Sequence, residues 1–292
     1  MIETDTILVG TRAAAIAALV VLSLLALAAF EASRFRVASH ALVDPRLPRS
    51  FDGTRLVFLA DVHVGPYYGK RRMARLVRCL NELRADVVVL GGDYVGGRRG
   101  GASTFYAAAA RILAERGVFA VLGNHDVWEG EAEAREGLAR AGITLVENSN
   151  VRLRGSEGDL VLAGLADAWT GDPDPEAAAE GIADGEFAVL VTHNPDILAE
   201  ALPRTPRGLY ALVLAAHTHG GQAPGAIPMM TRAHKPTHLG RRYLRGWRIE
   251  EDSPILVTHG VGTVTLPLRL LRPPEVHVIT LSATDGEREL RE

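Results

Sequence analysis

Five short apolar runs in this chain each stop at a small group of Asp, His, Asn or Gly, and few folds accommodate that pattern. RLVFLA at 55–60 leads into Asp61-Val62-His63, VVVL at 87–90 into Gly91-Gly92-Asp93, and VFAVL at 118–122 into Gly123-Asn124-His125-Asp126. FAVLVT at 187–192 leads into His193-Asn194, and LYALVLAA at 209–216 into His217-Thr218-His219-Gly220-Gly221. Runs of this length, rich in β-branched residues and bounded by Gly and polar residues, read as strands. Helical patterns separate the first three. In 71–84, Met73, Leu76, Val77, Leu80 and Leu83 recur at helical spacing, with Cys79 beside them as a small hydrophobe, and a second helix is expected over 105–115. Strand-helix alternation implies parallel βαβ units, whose ligand crevices open at the carboxyl ends of the strands. Further strands are expected at 160–165, 255–258 and 276–281, helices at 131–141 and 196–202, and a short helix entered through Pro175. The longest irregular stretch is 223–243, with Pro224, Pro228 and Pro236.

The residues at the strand ends are metal ligands by type. One cysteine excludes an intrachain disulfide and any Cys-rich zinc site, which leaves the ten histidines and the carboxylates. Residues i and i+2 of an extended chain point the same way, so Asp61 and His63 are expected to converge on one ion and His217 and His219 to share a side. Two such pairs suggest two neighbouring ions. Imidazole, carboxylate and an Asn carbonyl form a ligand set suited to manganese, iron or zinc. Lys and Arg number 32 against 35 Asp and Glu, a net charge of −3, so no basic field recruits nucleic acid, and none is expected as a partner.

In order and in spacing these five blocks resemble the calcineurin-like metallophosphoesterases, whose pattern is D-x-H, G-D, G-N-H-[DE], a single His, and G-H-x-H. The resemblance implies an α/β fold, a β-sandwich flanked by helices. It implies two divalent metal ions, one held by Asp61, His63 and His219, the other by Asn124, His193 and His217, with Asp93 bridging and His125 as the catalytic histidine that is not a ligand. Asp126 is expected either to orient His125 or to start the following helix. Ala216 stands where the family usually has Gly, which implies a small backbone shift without loss of metal.

The finer resemblance is to the membrane-anchored bacterial phosphodiesterases of the YkuE/YaeI type. It rests on THNPD at 192–196, HTHGGQ at 217–222, and Gly260-Val261-Gly262 followed by LPLR at 266–269 and Pro274-Glu275. It implies hydrolysis of a phosphodiester or pyrophosphate bond, with UDP-2,3-diacylglucosamine as one candidate substrate. A general phosphodiesterase or phosphomonoesterase, a cyclic-nucleotide phosphodiesterase, and a metal-binding membrane scaffold without chemistry are the other readings.

The N-terminus supports a tether. Residues 13–30 carry no charge and one polar residue, Ser23, and as a helix would be about 27 Å long, close to a hydrocarbon core of about 30 Å. A buried core helix and a signal peptide cleaved after Ala26-Leu27-Ala28 are the alternatives. Residues 1–33 are therefore expected to form a tail and a transmembrane helix, and 34–292 a single catalytic domain. Arg34, Arg36, Arg46 and Arg49 follow the span, which favours a single-pass protein of the cytoplasmic membrane with its catalytic domain in the cytoplasm. Tethering biases the substrate toward a membrane-resident, lipid-linked phosphate ester.

Other residues carry weaker signals. His259 lies near the expected site edge, and His234, Lys235, His238, Arg241 and Arg242 form a basic cluster that reads either as a solvated loop or as a phosphate clamp. Arg269 and Arg272 are further candidate substrate contacts. LPLRLL at 266–271 is apolar enough to touch lipid, although core packing is the expected role. His40, His277, Asn194 and Asp196 read as structural, and Tyr67 and Tyr68 as pocket or loop residues.

Overall fold

The computed structural model describes residues 2–97, 101–222, 237–284 and 289–291. A long helix, α1 (Ile2–Ala32), precedes two stacked sheets. The first is seven-stranded in the order β13 (Glu289–Arg291), β1 (Arg36–Val43), β12 (Glu275–Ser282), β2 (Arg55–Leu59), β3 (Val87–Leu90), β4 (Val118–Ala120) and β5 (Thr144–Leu145). The second is six-stranded in the order β10 (Gly246–Glu250), β11 (Ser253–Val257), β9 (Tyr210–Ala215), β8 (Phe187–Thr192), β7 (Gly158–Gly164) and β6 (Ser149–Gly155). Both sheets are mixed, and each has a parallel block, β2 through β5 in one and β7, β8, β9 and β11 in the other.

Strand periodicity of two sorts the apolar residues into layers. Leu56 and Phe58 of β2 and Val87 and Val89 of β3 face Val189, Val191, Leu212 and Leu214 of the other sheet, and these form the core between the sheets. Their alternating neighbours Val57, Leu59, Val88 and Leu90 turn outward onto Met73, Leu76 and Leu80 of α2 (Lys70–Glu82) and Phe105 of α3 (Gly101–Ala109). On the far side, Val161, Ala163, Leu190 and Val213 are covered by Ala178 of α5 (Pro175–Ala179) and by Leu198 of α6 (Leu198–Ala201). The strands are buried on both faces, and for that reason they read as continuous apolar runs with no polar alternation.

Several boundaries differ from expectation, for identifiable reasons. The helix expected at 131–141 begins earlier, as α4 (Asn124–Arg140), so the Gly-Asn-His-Asp block is itself a helix start; Gly130, at φ 144°, breaks the element in the middle. α3 starts at Gly101 and ends before 115. The segment 196–202 is split between a 3₁₀ turn (Pro195–Ile197), α6 and a second 3₁₀ turn (Leu202–Arg204), with Pro195 opening the first turn and Pro203 in the last, where α6 ends. Asp174 caps α5 by accepting the N–H of Ala177 at 3.0 Å, with Pro175 in the first turn as expected. Among the described residues, α1 supplies one helix long and apolar enough to cross a membrane, over Thr11–Ala32.

Candidate metal centre

Every strand that ends in a candidate ligand ends at the same edge of the sandwich. β2, β3 and β4 bring Asp61, His63, Asp93, Asn124 and His125 from one sheet, and β8 and β9 bring His193, His217 and His219 from the other. Backbone bonds tie the loops together: the N–H of Asp61 donates to Gly92 at 2.9 Å, that of His63 to Asp93 at 3.1 Å, and that of Ala216 to His193 at 3.0 Å. The N–H of His217 reaches Oδ2 of Asp61 at 3.2 Å and so links the two sheets. Ala216 is buried in the core between the sheets.

The candidate ligands do not converge by strand alternation. Asp61, His63, Asp93, His217 and His219 have φ of 53°, 48°, 56°, 69° and 51°, all in the left-handed region that costs a non-glycine residue about 1–2 kcal/mol. β2 stops at Leu59 and β9 at Ala215, so both D-x-H and H-x-H lie on turns that aim each side chain separately. His217 and His219 consequently part company, His217 toward His193 and His219 toward His63. Two glycines make room for this. A Cβ on Gly92, itself at φ 89°, would lie 2.6 Å from the Gly123 nitrogen and 2.7 Å from Nδ1 of His193, and one on Gly260 would lie 2.5 Å from Cβ of Asp61.

These side chains, all buried except the half-buried His125, fall into linked groups whose ligand atoms lie within 4.8 Å of one another: Asp61, His63 and His219; His63, Asp93 and His125; and Asp93, His193 and His217. Nε2 of His63 and Nε2 of His219 face each other at 3.1 Å. Oδ2 of Asp93 stands 3.5 Å from Nε2 of His63 and 3.3 Å from Nε2 of His193, between the groups. Oδ1 of Asn124 is 3.2 Å from Nε2 of His193, and Nδ1 of His217 is 3.2 Å from the same nitrogen. Oδ1 of Asp61 is buried with no hydrogen-bond partner. The buried Oδ1 of Asp61 and Nε2 of His217 lack partners, and the remaining imidazole, carboxylate and amide donors converge beside them, each ring nitrogen free to bind once its proton leaves, so the donor set fits divalent metal. Nδ1–H of His193 donates to the Gly91 carbonyl at 2.8 Å, which turns Nε2 inward, where it can bind metal once its proton leaves.

Electrostatics point the same way. Burial lowers the pKa of His63 and His217 to about 3 and that of His219 well below its usual value, so these rings are neutral, the form that binds metal. Burial also opposes charge on Asp93 and His193, but each holds the other ionised: Asp93 falls below the usual carboxylate range and His193 rises well above the usual imidazole value. Asp61 is pushed up to about 7, mainly by burial, and His193 pulls it down. An entering ion must therefore expel the His193 proton across the neutral range, and below about pH 7 the Asp61 proton as well. Each proton is expected to weaken apparent metal affinity by up to about tenfold for each unit the pH falls. Calorimetric titration on either side of pH 7, in buffers of different ionisation enthalpy, counts the protons released; an affinity independent of pH would contradict the assignment.

Around these groups the structure sorts the remaining candidates. Asp126 accepts three backbone N–H bonds, from Asp93 at 2.7 Å, Tyr94 at 2.8 Å and Gly123 at 2.9 Å; it starts α4 and clamps the β3 and β4 loops together, and these bonds are not to the His125 ring. His125 is half-buried, with its ring centroid 4.8 Å from that of His63 and its N–H bonded to Oδ1 of Asp93 at 2.8 Å. Arg269, a candidate substrate contact, is instead fully buried. Its guanidinium donates to the carbonyls of Gly262, His259 and Arg272, and Nη2 lies 3.1 Å from Nδ1 of His219. With its donors turned to protein groups it supports the centre from behind. His259 is also a wall residue: it is buried, its N–H is bonded to Glu275 at 3.0 Å, and Nδ1 lies 3.2 Å from the Pro273 carbonyl.

The basic cluster does not form a clamp in the described residues. Arg242 is paired with Glu250 at 2.8 Å, Arg241 is exposed, and His238 lies with its ring centroid 6.3 Å from that of Trp169, while His234 and Lys235 fall outside the described residues. Tyr68 is buried in the helical layer and Tyr67 is exposed. His40 and His277 meet across β1 and β12 at 3.0 Å, a structural pair as expected, and Asn194 caps a 3₁₀ turn. Two tryptophans flank the centre: Trp128, 5.1 Å from His125 between ring centroids, and Trp169, 4.3 Å from His217. Trp128 was discoverable, since it stands three residues after His125 on one helix face; nothing in the sequence marks Trp169.

Comparison with known proteins places this arrangement. A family model described as calcineurin-like phosphoesterase matches residues 54–221. The chain is 28% identical over 265 residues to YkuE of Bacillus subtilis, an uncharacterized metallophosphoesterase, covering 87% of this chain and 88% of that one. It is 30% identical over 231 residues to the phosphodiesterase YaeI of Escherichia coli, covering 78% and 82%, respectively. It is also 30% identical over 247 residues to a transmembrane protein with a metallophosphoesterase domain from Danio rerio, covering 81% of this chain but only 55% of that one. Family members use a binuclear divalent metal centre, and this chain clusters the His and Asp side chains for one. With a match over more than half its length, and with these side chains gathered at one sheet edge, the chain belongs to the calcineurin-like metallophosphoesterases and is a metal-dependent phosphoester hydrolase.

Proposed function

We propose that this protein is a membrane-anchored phosphoesterase that cleaves a phosphodiester or pyrophosphate bond. The observation that carries the reading is Asp93, whose carboxylate stands between His63 of one ligand group and His193 of the other. Asp61, His63 and His219 would hold one ion and Asn124, His193 and His217 the other, with Asp93 shared; manganese, iron and zinc all suit the set. Bound there, the ions supply Lewis acidity to the phosphoryl group and lower the pKa of water. Two ligand carboxylates leave a loaded centre of about +2, which attracts a phosphate anion. His125, beside the ligands but hydrogen-bonded to Asp93 only through its backbone, has a free ring to stabilise phosphoryl charge or protonate the leaving oxygen.

The helix spanning Thr11–Ala32 would anchor residues 34–292 as one catalytic domain, and the arginines after it favour the cytoplasmic face of the inner membrane. A lipid-linked nucleotide such as UDP-2,3-diacylglucosamine is the finer reading, suggested by the subgroup resemblance and by the tether.

The test is to strip the full-length protein of metal and assay it, with Mn, Fe or Zn restored, on diester, monoester and lipid pyrophosphate substrates. Metal-dependent diester or pyrophosphate hydrolysis is expected. His125→Ala should lower kcat by about 10²–10⁴-fold with metal content unchanged. Absence of hydrolysis of any phosphoester, or undiminished turnover by both Asn124→Ala and His125→Ala, would overturn the reading.

A further inference from the structure

The apolar helix is built into the catalytic domain at its far end. Ala28 and Ala32 are buried, the carbonyl of Ala28 accepts the N–H of Arg269 at 3.0 Å, and the Glu31 carboxylate accepts that of Leu271 at 2.9 Å. Arg72 donates to the carbonyl of Ala32, and Arg75 to that of Ser33 at 2.6 Å. Ala28 lies about 6 Å before the end of the span at 1.5 Å per residue. The polar layer of a bilayer adds roughly 5–7 Å beyond each side of the hydrocarbon core. A segment bonded to Ala28 and Glu31 therefore lies at the boundary between hydrocarbon and headgroups when the helix spans.

That segment is VTLPLRLLR at 264–272. Leu266, Leu268 and Leu270 are half-buried and Leu271 is 68% exposed, so the packing expected for this loop is incomplete. Exposed Arg34, two residues past the helix, exposed Arg75, bonded to Ser33, and the exposed ring of Tyr67, whose carbonyl accepts from Arg72, lie around the same end of the helix. Leucines, an aromatic ring and a collar of arginines are the composition of a membrane interface with anionic lipid.

We propose that the 264–272 loop enters the bilayer interface beside the anchor, contacting anionic phospholipid, and that the His219 side of the metal centre is thereby held against the headgroup layer. Arg269 makes the connection, with its N–H on Ala28 and its guanidinium at His219. Phosphoesters carried on lipid would then meet the ligand cluster without leaving the leaflet. This rests on the reading of α1 as a membrane span, and the experiment separates the two.

Full-length protein carrying Cys79→Ser is given one new cysteine at a time, Leu22→Cys, Leu271→Cys or Glu157→Cys, and each is labelled with a polarity-sensitive fluorophore. Glu157 lies in the exposed β6–β7 turn, at the edge opposite the metal centre. In vesicles of equimolar phosphatidylcholine and phosphatidylglycerol with brominated acyl chains, several-fold quenching is expected at 22 and 271, and none at 157. Quenching at 22 without quenching at 271 overturns the loop proposal and leaves the anchor standing. Absence of quenching at 22 overturns both.

Discussion

Asp93→Ala is expected to reduce kcat by about 10³-fold and to bring the metal content from two ions per chain to one or fewer. Among the described residues, the Asp93 carboxylate lies within 3.5 Å of a histidine side chain from each ligand group, so its loss weakens both halves at once. Lewis-acid stabilisation of a phosphoryl oxygen is worth several kcal/mol, and each 1.36 kcal/mol is tenfold in rate, which sets the estimate. The other oxygen of the same carboxylate holds the His125 N–H at 2.8 Å, so truncation also loosens the start of α4, where His125, the proposed catalytic histidine, sits. Asp93→Asn separates these roles: it retains an acceptor for that N–H but not the charge that keeps His193 protonated in the metal-free protein. It should therefore fold like the parent and still lose metal. Elemental analysis together with kcat decides the matter, and an Asp93→Ala protein with two ions and undiminished turnover would remove Asp93 from the centre.

What was legible in the sequence follows from which forces are local. The buried strands appear as apolar runs because both of their faces are covered, and each run announces where its loop begins. The site residues are legible because they cluster at those ends within a few residues of a strand. How they converge is not, since alternation predicts parallel side chains where the chain uses five left-handed turns. Such turns are enforced by bonds between distant segments, such as the Asp61 N–H on Gly92 and the His217 N–H on Asp61. Asp126 shows the same limit: its type and position allow a partner on the next residue or on three backbone amides, and only the approach of β3 to β4 selects the amides. Strands β6 and β10 went unread because they lie at sheet edges with polar, half-exposed faces, where apolar patterning fades.

The second large effect is expected at Arg269, fifty residues from the histidine it supports and a candidate substrate contact by its charge. Arg269→Leu leaves the carbonyls of Gly262, His259 and Arg272 without their donor in a buried region, and a charge balanced by Asp61 and Glu275 disappears. Breaking such a buried arrangement typically costs about 3–5 kcal/mol. At roughly 2–4 °C per kcal/mol for a domain of this size, Tm should fall by about 6–20 °C. Metal affinity should weaken by about 10–100-fold as the His219 loop, whose backbone carbonyl the guanidinium also reaches, loses the group that fixes it. Arg269→Lys should recover little, because one ammonium cannot reach three carbonyls spread around a planar fork. A substrate contact would behave in the opposite way, raising KM while leaving Tm and metal content unchanged. Thermal unfolding, metal titration and the separate kinetic constants distinguish the two, and a rise in KM alone would return Arg269 to the pocket and break the proposed link between anchor and metal centre.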